Sequence, residues 1–241
     1  MEAVNPGATF RHLDGKPMTT ESGKKIYYIK EIFSTIQGEA EFCGVKSLFI
    51  RFTDCNMACK FCDTDFSYNF SMTKDELIEY VVSRHAEEGP EGGFHNIVLT
   101  GGEPLMQVDY DIIRALYDRG FVVQIETNGT MPMPCENQAD QQSMIDQGKL
   151  FVTVSPKAKK IHPSILDAAR EIKVVLFNKK FVEIILDKYA TFIEKNGGKI
   201  YIQACAEQDG TFDIRPVYEF IMGRPEYLRM SVQTQKIAGF E

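Results

Sequence analysis

The chain has 241 residues, a formal net charge of −7, 44% apolar residues and 25% charged ones. That length supports one large α/β domain with its own core. The acidic balance excludes a bulk electrostatic grip on nucleic acid, which needs a basic surface to meet the phosphates. No apolar run approaches the roughly 20 residues that span a bilayer, and the N-terminal MEAVNPGATFRHLDGKPM lacks the charged-then-apolar order of a secretion signal. The chain therefore reads as cytoplasmic, with no membrane and no nucleic-acid partner.

Residues 1–25 are polar, contain Gly and Pro and show no sustained period; they read as a flexible N-terminal extension, with 26–241 a single domain. From Tyr27 strand-like and helix-like segments alternate. Lys46–Phe52 is rich in β-formers. Thr73 opens a helix, with Glu76 three residues on as a capping box; Leu77, Ile78, Val81 and Val82 form its buried stripe and Gly89 lies past its end. His95–Thr100 reads as a buried strand, and a helix through Ile112, Ile113 and Leu116 stops at Gly120. Val122–Glu126, Leu150–Val154 and Glu171–Phe177 follow as strands, with the 132–149 stretch the least readable part. A helix carrying Val182, Ile185, Leu186, Tyr189 and Phe192 stops near Gly197. Lys199–Gln203 is a strand, 213–222 a helix and Tyr227–Val232 a last strand. Such alternation implies right-handed crossovers and a mainly parallel sheet, which places its chemistry at the carboxyl ends of the strands.

Polar and glycine-rich tips follow those strands: a cysteine loop, then Gly101-Gly102-Glu103-Pro104, Thr127-Asn128-Gly129, Ser155-Pro156-Lys157 and Gln203. Three of the six cysteines, Cys55, Cys59 and Cys62, fall in one C-x3-C-x2-C loop, whereas Cys43, Cys135 and Cys205 are scattered. In a reducing compartment clustered cysteines point to metal. Three local thiolates can wrap a [4Fe-4S] cluster while leaving one iron open to an outside ligand. On spacing alone a zinc site completed by Cys43 or a histidine stays open, although zinc ribbons generally pair one C-x2-C with a second. His12, His85, His95 and His162 match no ligand motif, and His85 lies on an apolar helix stripe, which favours packing.

The cysteine spacing after a strand of a repeating β/α chain, with the glycine-rich GGEP, resembles the radical S-adenosylmethionine (SAM) superfamily. That resemblance implies that SAM binds the open iron and is cleaved by one electron to a 5′-deoxyadenosyl radical. Ile36-Gln37-Gly38-Glu39, Gly44, Phe49-Ile50-Arg51, Cys62-Asp63-Thr64, Thr100–Pro104, Glu126–Gly129, Val154–Lys157, Gln233-Thr234 and Lys236 are similar to the 7-carboxy-7-deazaguanine synthase family, over about residues 27–237. The resemblance implies an α/β fold, a partial (β/α)6 TIM-like barrel with a radical SAM core. It implies radical ring contraction of 6-carboxy-5,6,7,8-tetrahydropterin with loss of ammonia, a step toward queuosine and other 7-deazapurines. It also implies Mg²⁺, a flavodoxin or ferredoxin as reductant, and a homodimer.

Carried over by motif, Cys55, Cys59 and Cys62 hold the cluster and Thr64 ligates Mg²⁺. Gly101, Gly102, Glu103, Glu126, Ser155, Pro156, Lys157 and Gln203 serve SAM, with Glu103 accepting from its ammonium. Ile36, Gln37, Gly38, Arg51 and Thr100 contact the pterin; a planar guanidinium fork suits a carboxylate. The residues by themselves also allow Arg51 as a surface ion pair, Thr64 as a turn cap, Ser155–Lys157 as an ordinary strand exit and a glycyl-radical activase as the activity. Two positions depart from the family pattern: Ala204-Cys205 stands where proline usually follows Gln203, bearing on SAM contacts through 203–206, and Gln235 stands where a histidine is usual. The C-terminal Glu241 is a further candidate for substrate contact.

Overall fold

The computed structural model describes residues 18–59, 62, 67, 69–89, 92–205, 211–224 and 228–240. Thr64, Asp63, Ala206, Glu241 and the first 17 residues, all of which carry expectations above, lie outside the described residues.

Among the described residues the strands are β1 (Ile26–Ile36), β2 (Lys46–Phe52), β3 (Phe70–Thr73), β4 (Asn96–Gly101), β5 (Val122–Thr127), β6 (Leu150–Val154), β7 (Ala169–Leu176), β8 (Lys199–Ala204) and β9 (Leu228–Ser231). They form one sheet in the order β3-β1-β2-β4-β5-β6-β7-β8-β9. From β2 to β9 every neighbouring pair is parallel, whereas β1 runs antiparallel to both β2 and β3. Sequential parallel order is the signature of a barrel; here β3 and β9 are free edges, so the barrel is open.

The helices are α1 (Lys74–Glu87), α2 (Tyr110–Tyr117), α3 (Gln138–Asp146), α4 (Pro163–Ala168), α5 (Lys179–Lys195), α6 (Arg215–Met222) and α7 (Thr234–Ala238). The α1 start has the expected reciprocal capping box between Thr73 and Glu76. Its stripe is narrower than the sequence implies: Leu77, Ile78 and Val81 are buried but Val82 is 41% exposed. His85 packs edge-on to Phe94 and Phe121 and its Nδ1 lies 2.8 Å from the Phe94 carbonyl oxygen. His162 caps α4, accepting from the Ser164 amide. Helices α3 and α4, which the sequence did not reveal, are capped by Asn137 and His162 and bury only two residues each, Met144 and Ile145 in α3 and Ile165 and Ala168 in α4, too few to mark an apolar stripe.

Strand alternation sorts the parallel strands into two faces. Outward positions such as Leu48, Ile50, Ile97, Leu99, Val123, Ile125, Val152, Ile172, Val174, Ile200 and Ile202 are buried in the main core. Burying one such aliphatic side chain stabilises by about 1.5–3 kcal/mol. Inward positions are different. Ser47, Asn96, Gln124, Thr153, Glu171, Lys173, Gln203 and Ser231 are buried and polar, where a parallel strand covered on both faces ordinarily carries Val, Ile or Leu. Buried polar groups need partners, and a chain of bonds supplies them: Asn96 Nδ2 to Ser47 and Gln124, Gln124 Nε2 to Thr153, Thr153 hydroxyl to Glu171.

The connection between β1 and β2 completes this interior. Gln37 N–H bonds the Val45 carbonyl at 2.8 Å and Gly44 N–H the Gln37 carbonyl at 2.8 Å, closing a loop around a one-turn helix at Ala40–Phe42. The loop folds against the inner wall. Ala40 N–H donates to Ser231 and Glu41 N–H to Glu171, the Glu41 carboxylate takes Lys199 and Tyr201, and the Phe42 ring meets Phe151 at 4.8 Å. Ala40 sits at φ 53°, a left-handed conformation that non-glycine residues adopt at a cost.

Candidate active site

The carboxyl ends of the parallel strands surround a cavity of about 630 Å³, ample for small-molecule ligands. Cys55, Met57, Cys59 and Cys62 form one wall, after the end of β2. Asp54, at φ 69°, turns the chain off β2 so that Cys55 faces inward while remaining 8% exposed. Asn56 pins the loop to the β5 exit: its side chain donates to Thr130 at 2.8 Å and accepts from Asn128 at 2.9 Å. Burial pushes the Cys55 thiol up to about 11. Burial also raises Cys59, while the Lys157 ammonium opposes it.

The β4 exit is built on glycine. Gly101 has φ 143°, and an added Cβ there would lie 2.1 Å from the Phe52 carbonyl oxygen. At Gly102 it would lie 2.0 Å from the Asp54 carbonyl oxygen and 2.9 Å from Cys55 Cβ. The two glycines thus let β4 close onto the root of the cysteine loop, with both lining the cavity. Glu103 takes no part in the lining. It is fully buried and accepts from Thr127 Oγ1 (2.7 Å), the Asn128 amide (2.7 Å) and the Leu105 amide (3.2 Å), tying the β4 exit to the β5 exit. Burial pushes its carboxyl up to about 7 in spite of those bonds.

The same cavity holds most of the other predicted residues. Ile36, Gln37, Gly38, Arg51, Thr100, Glu126, Ser155, Lys157 and Gln203 all line the cavity, whereas Pro156 is buried beside it. Arg51 Nε donates to Glu31 at 2.7 Å, and its guanidinium lies 5.8 Å from the Phe33 ring, which stacks on Phe49. The ion-pair reading and the cavity reading of Arg51 therefore hold together. Gln37 Nε2 donates to Glu126 at 3.0 Å. Lys157 donates to Ser155 at 2.9 Å; burial and then Lys173 lower its pKa, against Cys59, Glu39 and Cys62.

Further residues, given no role by the sequence, complete the cavity beside the motif residues Glu39, Gln233 and Lys236. Lys173 is buried on β7, ion-paired with Glu39 and 3.7 Å from Glu126. Its inward position in Glu171-Ile172-Lys173-Val174 breaks the apolar run expected of a buried strand. Glu39 also accepts from Gln233 (2.9 Å) and Gln235 (3.1 Å), and Thr234 bonds the Gly38 carbonyl, which docks α7 at the rim with Lys236 and Phe240 on the lining. Glu31 and Phe33 are also on the lining without any motif to mark them, and Cys205, flagged as a departure from the family pattern, lies there too.

The donor set fits an iron–sulfur cluster with an exchangeable ligand. Three soft thiols share one wall, and bare glycine backbone lies beside them where another molecule could approach closely. Among the described residues, no three His, Cys, Asp or Glu side chains converge tightly enough to hold a single metal ion. Among the same residues no helix is long and apolar enough to cross a membrane.

Residues 49–186 match the family model of the Radical SAM superfamily. The chain is 30% identical over 231 residues to the 7-carboxy-7-deazaguanine synthase of Caulobacter vibrioides, covering 88% of this chain and 98% of the relative. It is 32% identical over 212 residues to the same-named protein of Bacteroides thetaiotaomicron, covering 87% and 96%. The crystal structure of QueE from Escherichia coli superposes with a TM-score of 0.67 at 25% identity, covering 86% of this chain and 94% of that one. The family model alone spans more than half the chain, and relatives of 30% identity or more are matched over most of both chains: this chain belongs to the radical SAM superfamily and, within it, to the 7-carboxy-7-deazaguanine synthase family.

Proposed function

We propose that the chain is a radical SAM lyase that converts 6-carboxy-5,6,7,8-tetrahydropterin to 7-carboxy-7-deazaguanine with loss of ammonia. The observation that carries this is the sharing of one cavity by the three cysteines and by the Gln37, Arg51 and Glu126 set. The cluster site and the polar substrate face line the same cavity.

Cys55, Cys59 and Cys62 would hold the [4Fe-4S] cluster, which with SAM supplies one-electron chemistry. Gly101 and Gly102 present bare backbone to the cofactor, and Ser155, Lys157 and Gln203 offer polar contacts around it. Glu103 acts from behind, holding the β4 and β5 exits at a fixed separation. Arg51 presents its Nη groups to the substrate carboxylate, since Glu31 already occupies Nε. Gln37 and Thr100 offer an amide and a hydroxyl to the ring heteroatoms. Glu126, assigned to SAM by its motif, accepts from Gln37 and is reassigned here to the same substrate face. Ile36 offers an apolar contact, and Gly38 lets α7 close on the rim, since an added Cβ there would lie 1.8 Å from Gln235 Oε1. Thr64 is the proposed Mg²⁺ ligand, a flavodoxin or ferredoxin the electron donor, a homodimer the assembly and the cytoplasm the compartment.

The test is anaerobic reconstitution followed by incubation with SAM, reductant, Mg²⁺ and the pterin, with mass spectrometry of the products. A deazaguanine acid that disappears in Cys59→Ala supports the assignment. Intact cluster and SAM cleavage with no such product refutes it. Thr64→Ala should weaken the Mg²⁺ dependence; an unchanged dependence removes the metal from that residue.

A further inference from the structure

Lys173 is a fully buried cation that the roles above leave unused. Its side chain is 6% exposed, ion-paired with Glu39 (11% exposed) and 3.7 Å from Glu126 (19% exposed), all three on the cavity wall. The three residues come from β7, the β1–β2 connection and β5, so no local sequence rule brings them together. Glu171 faces Lys173 from its own strand, and Lys157, beyond β6, is a nearby like charge. Gln37 donates to Glu126, and Gln233 and Gln235 donate to Glu39.

Two carboxylates crowded into a cavity of low dielectric repel each other and resist simultaneous ionisation. A cation between them relieves that repulsion and fixes their separation. We propose that Lys173 is a positioning residue: its ammonium, seated between Glu39 and Glu126, lets both carboxylates stand at the cavity floor and aims them at the N–H-bearing edge of the bound substrate. This rests on the pterin reading of the cavity, because a pterin presents ring N–H groups and an exocyclic amine that need acceptors. Charge balance agrees. Burial works to raise Glu39, but Lys173 outweighs it and holds the carboxyl well below the usual range, while burial of Lys173 is outweighed by Glu126 and Glu39.

The test compares wild type, Lys173→Met, Lys173→Gln and Lys173→Arg for cluster absorbance, kcat and KM for the pterin between about pH 6 and 9. Without the ammonium, only the Gln233 and Gln235 amides are left to offset the desolvation of Glu39, which then takes up a proton more readily than in wild type. KM should rise at least about tenfold at pH 7 in the Met variant and fall again as pH rises, with kcat changed less than KM. Arginine should restore KM to within about threefold, because it replaces the charge. Glutamine keeps hydrogen bonding without charge and carries the same expectation as methionine, which covers the case of a Met variant that does not fold. A Met or Gln variant with wild-type KM and a flat pH profile overturns the proposal. If wild type itself makes no product from the pterin, the reading of the cavity fails instead, and the two failures are thereby distinguished.

Discussion

Replacing Gly102 with alanine probes the joint between the glycine turn and the cysteine loop. The new Cβ would lie 2.0 Å from the Asp54 carbonyl oxygen, 2.6 Å from its carbonyl carbon and 2.9 Å from Cys55 Cβ. None of these atoms is the tip of a flexible side chain, and Asp54 already holds a left-handed φ of 69°. To regain ordinary contact, one partner must retreat by on the order of 1 Å, in an interior packed like a crystal. The same displacement strains the Gly102 N–H bond to the Phe52 carbonyl (3.3 Å) and the Glu103 N–H bond to the Asp54 carbonyl (2.8 Å). Overpacking of this kind costs about 1–3 kcal/mol of stability, and a 1 Å misplacement at the chemistry costs about 100-fold in rate. Urea unfolding, iron and sulfide content after anaerobic reconstitution, and turnover measure the three consequences. Gly120→Ala is the control: its φ of 87° is unfavourable for alanine, yet nothing lies within 4 Å of the new Cβ, so it should lose about 1 kcal/mol with the cluster intact. If Gly102→Ala reconstitutes and turns over like wild type, the close packing argued for this joint is wrong.

Glu171 should give the barrel interior a pH-dependent stability. Burial raises its carboxyl from 4.5 to about 7, against the bonds from Thr153 and Glu41 and the charge of Lys173. A raised acid favours the folded state below pH 4.5 and loses that advantage as pH rises through about 7. Relative to Glu171→Gln, wild type should therefore lose roughly 3 kcal/mol across that window, read by urea unfolding at several pH values; a constant difference between the two proteins contradicts this. Arg51→Lys keeps the charge but removes the planar fork and should raise KM for the pterin acid about tenfold, whereas unchanged kinetics would leave Arg51 as the partner of Glu31 alone. Thr73→Ala removes one half of the α1 capping box and should cost about 1 kcal/mol by urea unfolding with kcat and KM unaltered, since the cap lies outside the cavity.

What the sequence revealed follows from where the information is local. Cys55, Cys59 and Cys62, the GGEP turn and the Ser155–Lys157 exit each occupy a short stretch of chain, and the parallel β2–β9 wall repeats a period that composition makes visible. The Lys173–Glu39–Glu126 group is assembled from residues up to 134 apart, so only a register fixed by strand pairing joins them. Two departures have physical causes. Val82 lies on the rim of the α1 stripe, in an open groove that it shares with Ala115 of α2 and Arg119. Glu103, read from GGEP as an acceptor for the SAM ammonium, is buried off the cavity lining and accepts from Thr127, Asn128 and Leu105, partners that no local motif announces. The antiparallel β1 and β3 were not separable from the alternating pattern, since β1 is long and half-buried along most of its length.

The central claim is that this cysteine loop holds a redox-active iron–sulfur cluster with one iron open to SAM. Electron paramagnetic resonance of the reduced, anaerobically reconstituted protein, recorded with and without SAM, tests it most directly. The account predicts a [4Fe-4S]⁺ signal that changes on adding SAM and is missing from Cys59→Ala. A protein that takes up only zinc, or a cluster signal indifferent to SAM, would contradict it.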